Sequence, residues 1–504
     1  VTPARRDYLA LSVIVILATV LRLVGLPGRG EWDDDQGAEL LTMLHWVRDG
    51  EVPLVGPVSS TGTTHHGAAY YWLLGPSAFL SDVNPVAVVA TLVVVGIVGV
   101  AATWWLGRTV GGPLAGHVAA LLMAVSPSAI GTSTSLWNSN IVGPTAALAA
   151  ASGWHAWRTR EPRWWYLSAA AAVLVVHGHL LAAVGVPPLV ALFAADLLRR
   201  PRPTRRQAIR TLVGITLIVA AAVIPLFVYE SRHDFAETRA IVDLISNGAA
   251  AQGSRGMSIR TLPVVAWRTL GWPVSGAVNA APLSALPAVF FTVAALTIAA
   301  TGTQGVARQF GRSAVVTTIW AVAALTVVAP GLGMIHPGLP NDQYHAWLDP
   351  ILFAAIGVAV AWLWAARPIV MKATALAVLV ACLTLSTVSM PPLMSAHGGW
   401  PTAAAAAERI RAVTEGKPTA VTGVYKTGAA IQFPLRRAGS TVVDPSVAEF
   451  LVVTCDPLFE GPVGIPCGGR AEAARAFMAG FALAEAKDCF ANGPRRDICV
   501  FRRR

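Results

Sequence analysis

The chain has 504 residues, of which 55% are hydrophobic and only 13% charged, and its mean hydropathy is +0.58. A soluble globular protein carries about 25% charged residues, so that class is excluded. The net charge of +11 therefore needs no nucleic-acid partner, and what matters is where the basic residues sit.

Apolar windows of about 17–25 residues recur, the length that crosses about 30 Å of hydrocarbon. The first, at 9–26, follows Arg5 and Arg6. No small-x-small cleavage site stands behind it, so it reads as a retained helix. Arg22 near its far end either snorkels or pairs with an acid, and snorkelling is the simpler expectation. Further windows fall near 85–107, 113–127, 141–157, 164–179, 180–198, 211–229, 283–301, 313–330, 349–366 and 373–390. Basic residues cluster in alternate short loops: Arg5 and Arg6; Arg108; Arg158, Arg160 and Arg163; "RRPRPTRRQAIR" at 199–210; Arg308 and Arg312; Arg367 and Lys372. The positive-inside rule puts these in the cytoplasm. The expected fold is an α-helical polytopic membrane protein with about eleven transmembrane helices in the plasma membrane, its N-terminus cytoplasmic. Segments 27–84, 128–140, 230–282, 331–348 and everything after 391 then face outward.

The first outward segment, 27–84, is the most polar. It holds "EWDDDQGAEL", with Asp33, Asp34 and Asp35 in a row, and two short helical patterns, Ala38–Arg48 and Ala68–Leu80. Both suit amphipathic helices at the membrane surface. One aspartate is enough to cap the helix that starts near Gln36. Three adjacent carboxylates also raise one another's pKa, which suits a general base or a metal site, and neither reading outweighs the other on spacing alone. His65 and His66 precede Tyr70, Tyr71 and Trp72. The aromatics read first as an interfacial belt, whereas the histidine pair suits a phosphate or a metal.

Other outward candidates are "SLWNSN" (135–140), "HGHLLA" (177–182) and "HPGLPNDQYHAWLDP" (336–350). His177 and His179 alternate and so point apart on a helix. Tyr344 and His345 stand at the mouth of a span, a place for a headgroup or phosphate. Arg255 and Arg260, with Arg232, Arg239 and Arg268, are cations on the outward side and favour an anionic ligand there. No Gly-rich nucleotide loop is present.

After Met390 charges return and apolar runs shorten. "TAAAAAERIRAVTEG", "TGAAIQFPLRRAG" and "RAEAARAFMAGFALAEAKD" read as helices, and "TAVTGVY", "AEFLVVTC" and "DICVFRRR" as strands. The chain therefore divides into a membrane module, 1–390, and a small extracytoplasmic α/β domain, 391–504. Cys455, Cys467, Cys489 and Cys499 all lie in that domain, and Cys382 stands apart in the last span. An even outward set favours two disulfides. Local pairing fits the spacing, and three connectivities remain open.

Taken together, these motifs resemble the GT-C membrane glycosyltransferases that use polyprenyl-phosphate sugars, a group that includes protein mannosyltransferases and the lipid A aminoarabinose transferase. "DDDQG" after the first helix resembles the family's first-loop acidic motif, and "GPVSSTGTTHHGAAYYWLLGP" its G-P-x-[ST]-S…H-G-P-L-Y-Y pattern. "LWNSN", "HGHLLA" and "QYHAWLDPILF" are similar to further family segments. The resemblance implies an inverting transfer from a polyprenyl-phosphate-linked sugar to a glycan, lipid or protein acceptor. It implies Asp35 as the general base, with Asp34 second and Asp33 capping. The phosphate would meet His66, His65, Tyr344, His345, Arg255 and Arg260. Tyr70, Tyr71, Trp137, Asn138, Asn140 and His179 would line the pocket. A divalent metal, if used, would sit on Asp34 and Asp35. The chain departs from the pattern at Gln36, at Ala38 and Glu39 where an Arg is common, and at "HGAAYY".

Two other classes compete with an enzyme. A transporter or lipid flippase would carry charges or repeats near the midplane, but the spans are nearly free of acids and show no repeat. A scaffold displaying the tail would not need Asp35.

Overall fold

The computed structural model describes residues 3–59, 64–200, 203–246, 259–276, 285–329, 344–395, 398–424, 428–455, 467, 470–481, 485–492 and 497–503. From the N-terminus come α1 (Pro3–Leu23), α2 (Asp34–Asp49), hairpin strands β1 (Val55–Val58) and β2 (His65–Gly67), and α3 (Ala69–Ser81). Then follow α4 (Pro85–Gly111), α5 (Pro113–Val125), α6 (Pro127–Ser133), α7 (Val142–Thr159), α8 (Pro162–Gly178) and α9 (Val186–Leu198). Next are α10 (Arg205–Arg232), α11 (Ala236–Ser246), α12 (Leu262–Ser275), α13 (Leu286–Thr297), α14 (Gly305–Val328), α15 (Asp349–Ala365) and α16 (Ile369–Val388). The tail holds α17 (Gly399–Thr414), β3 (Thr419–Val424), α18 (Ala429–Arg437), β4 (Phe450–Cys455), α19 (Arg470–Met478), β5 (Glu485–Ala491) and β6 (Asp497–Arg502).

Helix falls on each apolar window of the sequence. Among the described residues, α4, α10, α14, α16 and the 3-10 turn Leu180–Gly185 continued by α9 are each long and apolar enough to cross a bilayer. The pair α5–α6, bent by 60°, makes a sixth candidate. The chain is thus a polytopic helical membrane protein. Its main core joins α4, α5, α7, α14 and α15, where small side chains such as Ala119, Ala151 and Ala355 let the helices approach closely.

Two features of the bundle differ from the sequence expectation. The window 113–127 is broken at Ser126, because Pro127 opens a new helix. A proline has no N–H, so the Met123 carbonyl loses its helical donor. Arg22 fills the gap. It is fully buried, and Nη2 donates to Met123 O at 3.2 Å while Nη1 donates to Ala124 O at 2.9 Å and Ala18 O at 3.2 Å. It does not snorkel, because the carbonyls left by the break are better partners than the interface. Arg22→Met, which keeps the length but not the donors, is expected to cost about 2 kcal/mol, read as a lowered thermal midpoint. The second difference is α12, a buried helix inside a segment that reads as an outward loop. Its length and its Arg268 hide it from a hydropathy window. Arg268 is wholly buried with its guanidinium over Trp272, so it is not a surface cation.

The tail sheet runs β3-β4-β6-β5, with β3 parallel to β4 and the other pairs antiparallel. Its buried faces have their own cores, one around Leu451 and Phe501 and one around Val452 and Ile410. The expected helix through Asp488 stops at Met478, and residues 485–491 form β5 instead. Cys489 and Cys499 are directly opposed in the β5–β6 register and form a disulfide, which fixes a strand where local propensity is helical. The second disulfide joins Cys455 to Cys467. Both pairings are local, and Cys382 is a buried free thiol.

Candidate active site

The three aspartates do different work. Asp33 is the N-cap of α2, accepting from Asp35 N at 2.9 Å, and Asp33 N in turn donates to Gln36 Oε1 at 3.0 Å in a capping box. Asp34 reaches outside its own helix. Its Oδ1 accepts from Ala429 N at 2.6 Å and so caps α18, which has no side-chain cap of its own. Beside it Trp32 Nε1 donates to Ala430 O at 2.9 Å. A Cβ built on Gly37 would lie 2.2 Å from Ala429 O, so the α2–α18 contact requires glycine at that position. Asp35 is half-buried in the first turn of α2, one turn before Glu39 and on the same face.

Glu39 is a residue whose role the sequence did not reveal. It is 2% exposed, and Tyr70 Oη donates to its Oε2 at 2.5 Å. Burial pushes its carboxyl up to about 8, the Tyr70 bond opposes this, and the Asp35 and Asp33 charges add to the rise. Tyr70 and Tyr71 are buried against Leu40, Leu44 and Leu74, so they form the wall behind the acidic turn rather than a free rim. Trp137 precedes a 3-10 turn, Asn138–Ile141. Asn138 Nδ2 donates to Gly178 O at 2.6 Å, and Asn140 Nδ2 to Ser135 O at 2.7 Å, so both amides fasten the turn. Gln36 Nε2 donates to Leu136 O at 2.9 Å. The acidic turn, the asparagine turn and the end of α8 are thereby one hydrogen-bonded layer.

The histidines complete that layer. His66 and His179 have ring centroids 5.1 Å apart, and Tyr344 stands edge-on to His179 at 5.3 Å. His66 Nδ1 accepts from Leu180 N, His179 Nδ1 from Leu181 N and His177 Nδ1 from Ala69 N, each at 3.3 Å. An Nδ1 that accepts carries no proton, so all three rings are neutral and present Nε2–H. Burial, followed by the charge of His65, lowers His66 to about 4. His65 turns the other way, with Nδ1 donating to Glu237 Oε1 at 2.6 Å. His345 is fully buried against Trp272 with Asp349 at 3.5 Å. Arg260 is exposed in the turn before α12, and Arg255 lies outside the described residues.

Two apolar cavities lie within the bundle. One of about 310 Å³ runs between α8, α9 and α10 and ends on His177. The other, of about 540 Å³, lies on the opposite side of α9, from Arg312 to Trp347. Among the described residues no three His, Cys, Asp or Glu side chains converge as metal ligands. Asp34 Oδ1 is engaged with Ala429 N, and the three histidine Nδ1 lone pairs with backbone N–H groups.

Residues 65–229 match the family model described as dolichyl-phosphate-mannose-protein mannosyltransferase. No curated protein sequence matches the chain. Among solved structures, ArnT from Cupriavidus metallidurans in the apo state is similar with a TM-score of 0.60 at 12% identity, over 99% of this chain and 98% of that one. The same protein bound to undecaprenyl phosphate gives 0.58 at 11% identity over the same shares. The Archaeoglobus fulgidus oligosaccharyltransferase gives 0.53 at 12% identity, over 90% of this chain and 70% of that one. At such identities the structural likeness shows the fold alone: the chain shares the fold of ArnT, and its residues 65–229 are similar to the mannosyltransferase family model.

Proposed function

We propose that the chain is an inverting glycosyltransferase. It moves a sugar from a polyprenyl-phosphate donor to a cell-envelope glycan, lipid or protein acceptor at the outer face of the membrane. The observation that carries this reading is the apolar cavity that ends on His177, beside the His66–His179 pair in the same hydrogen-bonded layer as Asp35. A polyprenyl tail suits the cavity, and a phosphate suits an array of Nε2–H donors. A related fold solved with undecaprenyl phosphate supports the donor class. Residues 1–390 form the membrane module, and 391–504 an outer domain seated on α2.

In this reading Asp35 takes the proton of the acceptor hydroxyl. The oxygen attacks the anomeric carbon opposite the phosphate, the sugar–phosphate bond breaks, and its electron pair leaves on polyprenyl phosphate with inversion. The histidine donors meet the charge that the leaving phosphate gains. No step is routed through a metal.

Binding of polyprenyl phosphate to the purified protein tests the donor half. His66→Ala and His179→Ala are each expected to weaken binding by about tenfold, one charge-assisted hydrogen bond. Because the neutral rings gain no charge, affinity for the sugar-loaded donor, a phosphodiester that does not titrate in this range, should stay level between about pH 5 and pH 8. Binding that strengthens as pH falls through the ordinary histidine range would contradict the tautomer assignment, and failure to bind the lipid would remove the donor.

A further inference from the structure

Glu39 sits on the same face of α2 as Asp35, one turn later, buried between α2, α3 and the Asn138 turn. Tyr70 Oη donates to its Oε2 at 2.5 Å, and the Asn138 backbone also bonds to it. The ionisable groups that face it are Asp33 and Asp35 from α2 and Tyr70 and Tyr71 from α3. The nearby charges, Asp33 and Asp35, are both of its own sign. A buried carboxylate among like charges is far costlier than a buried carboxylic acid.

We propose that Glu39 is a positioning residue of the transfer reaction: through Tyr70 and the Asn138 backbone it ties α2 to the histidine-bearing layer, and by keeping its own proton it leaves Asp35 as the carboxylate that receives the acceptor's. The inference rests on the transferase reading above. Asn138 holds Gly178 between His177 and His179, so a shift of the α2–Asn138 contact displaces base and phosphate donors relative to each other. Ionising Glu39 places a second negative charge one turn from Asp35. The repulsion between the two carboxylates loosens the contact.

The test is the pH profile of sugar transfer by wild type, Glu39→Gln and Tyr70→Phe. Burial holds the Glu39 carboxyl at about 8, so wild-type turnover should fall about tenfold from about pH 7 to about pH 9. In Glu39→Gln, whose amide cannot ionise, the ratio of the two rates should approach one. Tyr70 favours the charged form, so Tyr70→Phe should move the alkaline limb to higher pH. A role in packing alone would lower thermal midpoints and leave the shape of the profile unchanged. An unaltered alkaline limb in Glu39→Gln overturns the proposal, and so does a folded Glu39→Gln protein inactive at every pH. A readout independent of activity separates this from the function itself. Wild-type thermal stability should decline between about pH 4.5 and pH 8, where the native state holds a proton that the unfolded chain has lost, and Glu39→Gln should lack that decline. If wild type shows this slope but transfers no sugar from any donor, the transferase reading fails while the protonated Glu39 stands. If the slopes of wild type and variant coincide, the protonated Glu39 fails whatever the activity.

Discussion

Asp35→Asn is expected to lower sugar transfer by about 10²–10⁴-fold, the contribution of a positioned general base, with the protein still folded. The neighbouring aspartates give the contrast. Asp33 caps α2 and Asp34 caps α18. Asp33→Ala should therefore cost about 1 kcal/mol of stability, and Asp34→Ala should weaken the seat of the tail on α2. Both variants, assayed well below their thermal midpoints, should retain turnover far above that of Asp35→Asn. Initial rates at saturating donor, set beside thermal midpoints, separate the two kinds of loss. Equal catalytic loss in all three variants would mean that the acidic turn acts as a unit and that the division of labour is wrong.

Gly37→Ala is expected to be the most damaging single methyl group in the acidic turn. The new Cβ would meet Ala429 O at 2.2 Å, Ala429 C at 2.3 Å and Ala430 N at 2.5 Å, all backbone atoms that cannot rotate away. Either α18 lifts off or α2 shifts. Lifting α18 breaks the Asp34–Ala429 and Trp32–Ala430 hydrogen bonds and opens the packing of Trp32 against Phe433 and Trp400. Overpacking of this kind costs about 3 kcal/mol at the upper end of its usual range. Faster proteolytic release of the tail should accompany it, since residues after 391 would lose one of their anchors and keep the contact of Ser395 N with Gly28 O. Gly50, where an added Cβ would meet nothing within 4 Å but φ is +77°, is the control. Its substitution strains a helix end without touching the tail. A tail as resistant in Gly37→Ala as in wild type would show that α2 and α18 do not depend on the close approach.

Hydropathy was enough to place helix on every apolar window, because burial in lipid demands long apolar runs whatever the tertiary partners, and among the described residues five of these helices, or six with the bent pair, are long and apolar enough to cross a bilayer. It could not find α12, whose short length and buried Arg268 lower the apolar signal of its window. Nor could it place Arg22, whose partners Met123 and Ala124 lie about a hundred residues away. The short helices α2 and α3 were legible from their periodicity. The β1–β2 hairpin between them was not, since His65 and His66 carry no strand signal. The acidic turn was legible as a cluster but not as three jobs, because Asp34 acts on a helix almost four hundred residues later in the chain. Asn138 and Asn140 read as pocket residues by resemblance, and the fold spends their amides on Gly178 and Ser135. Glu39 appeared only as a departure from a motif. Its burial and its bond to Tyr70 depend on how α2 packs on α3, which no local pattern encodes.

The most direct test of the central claim is a transfer assay with the purified protein in lipid nanodiscs, using radiolabelled sugars on a panel of polyprenyl phosphates and mixed cell-envelope acceptors. The proposed mechanism requires label to move from at least one donor with release of polyprenyl phosphate and inversion at the anomeric carbon, and requires Asp35→Asn to stop it. No turnover with any donor, or full turnover by Asp35→Asn, would contradict it.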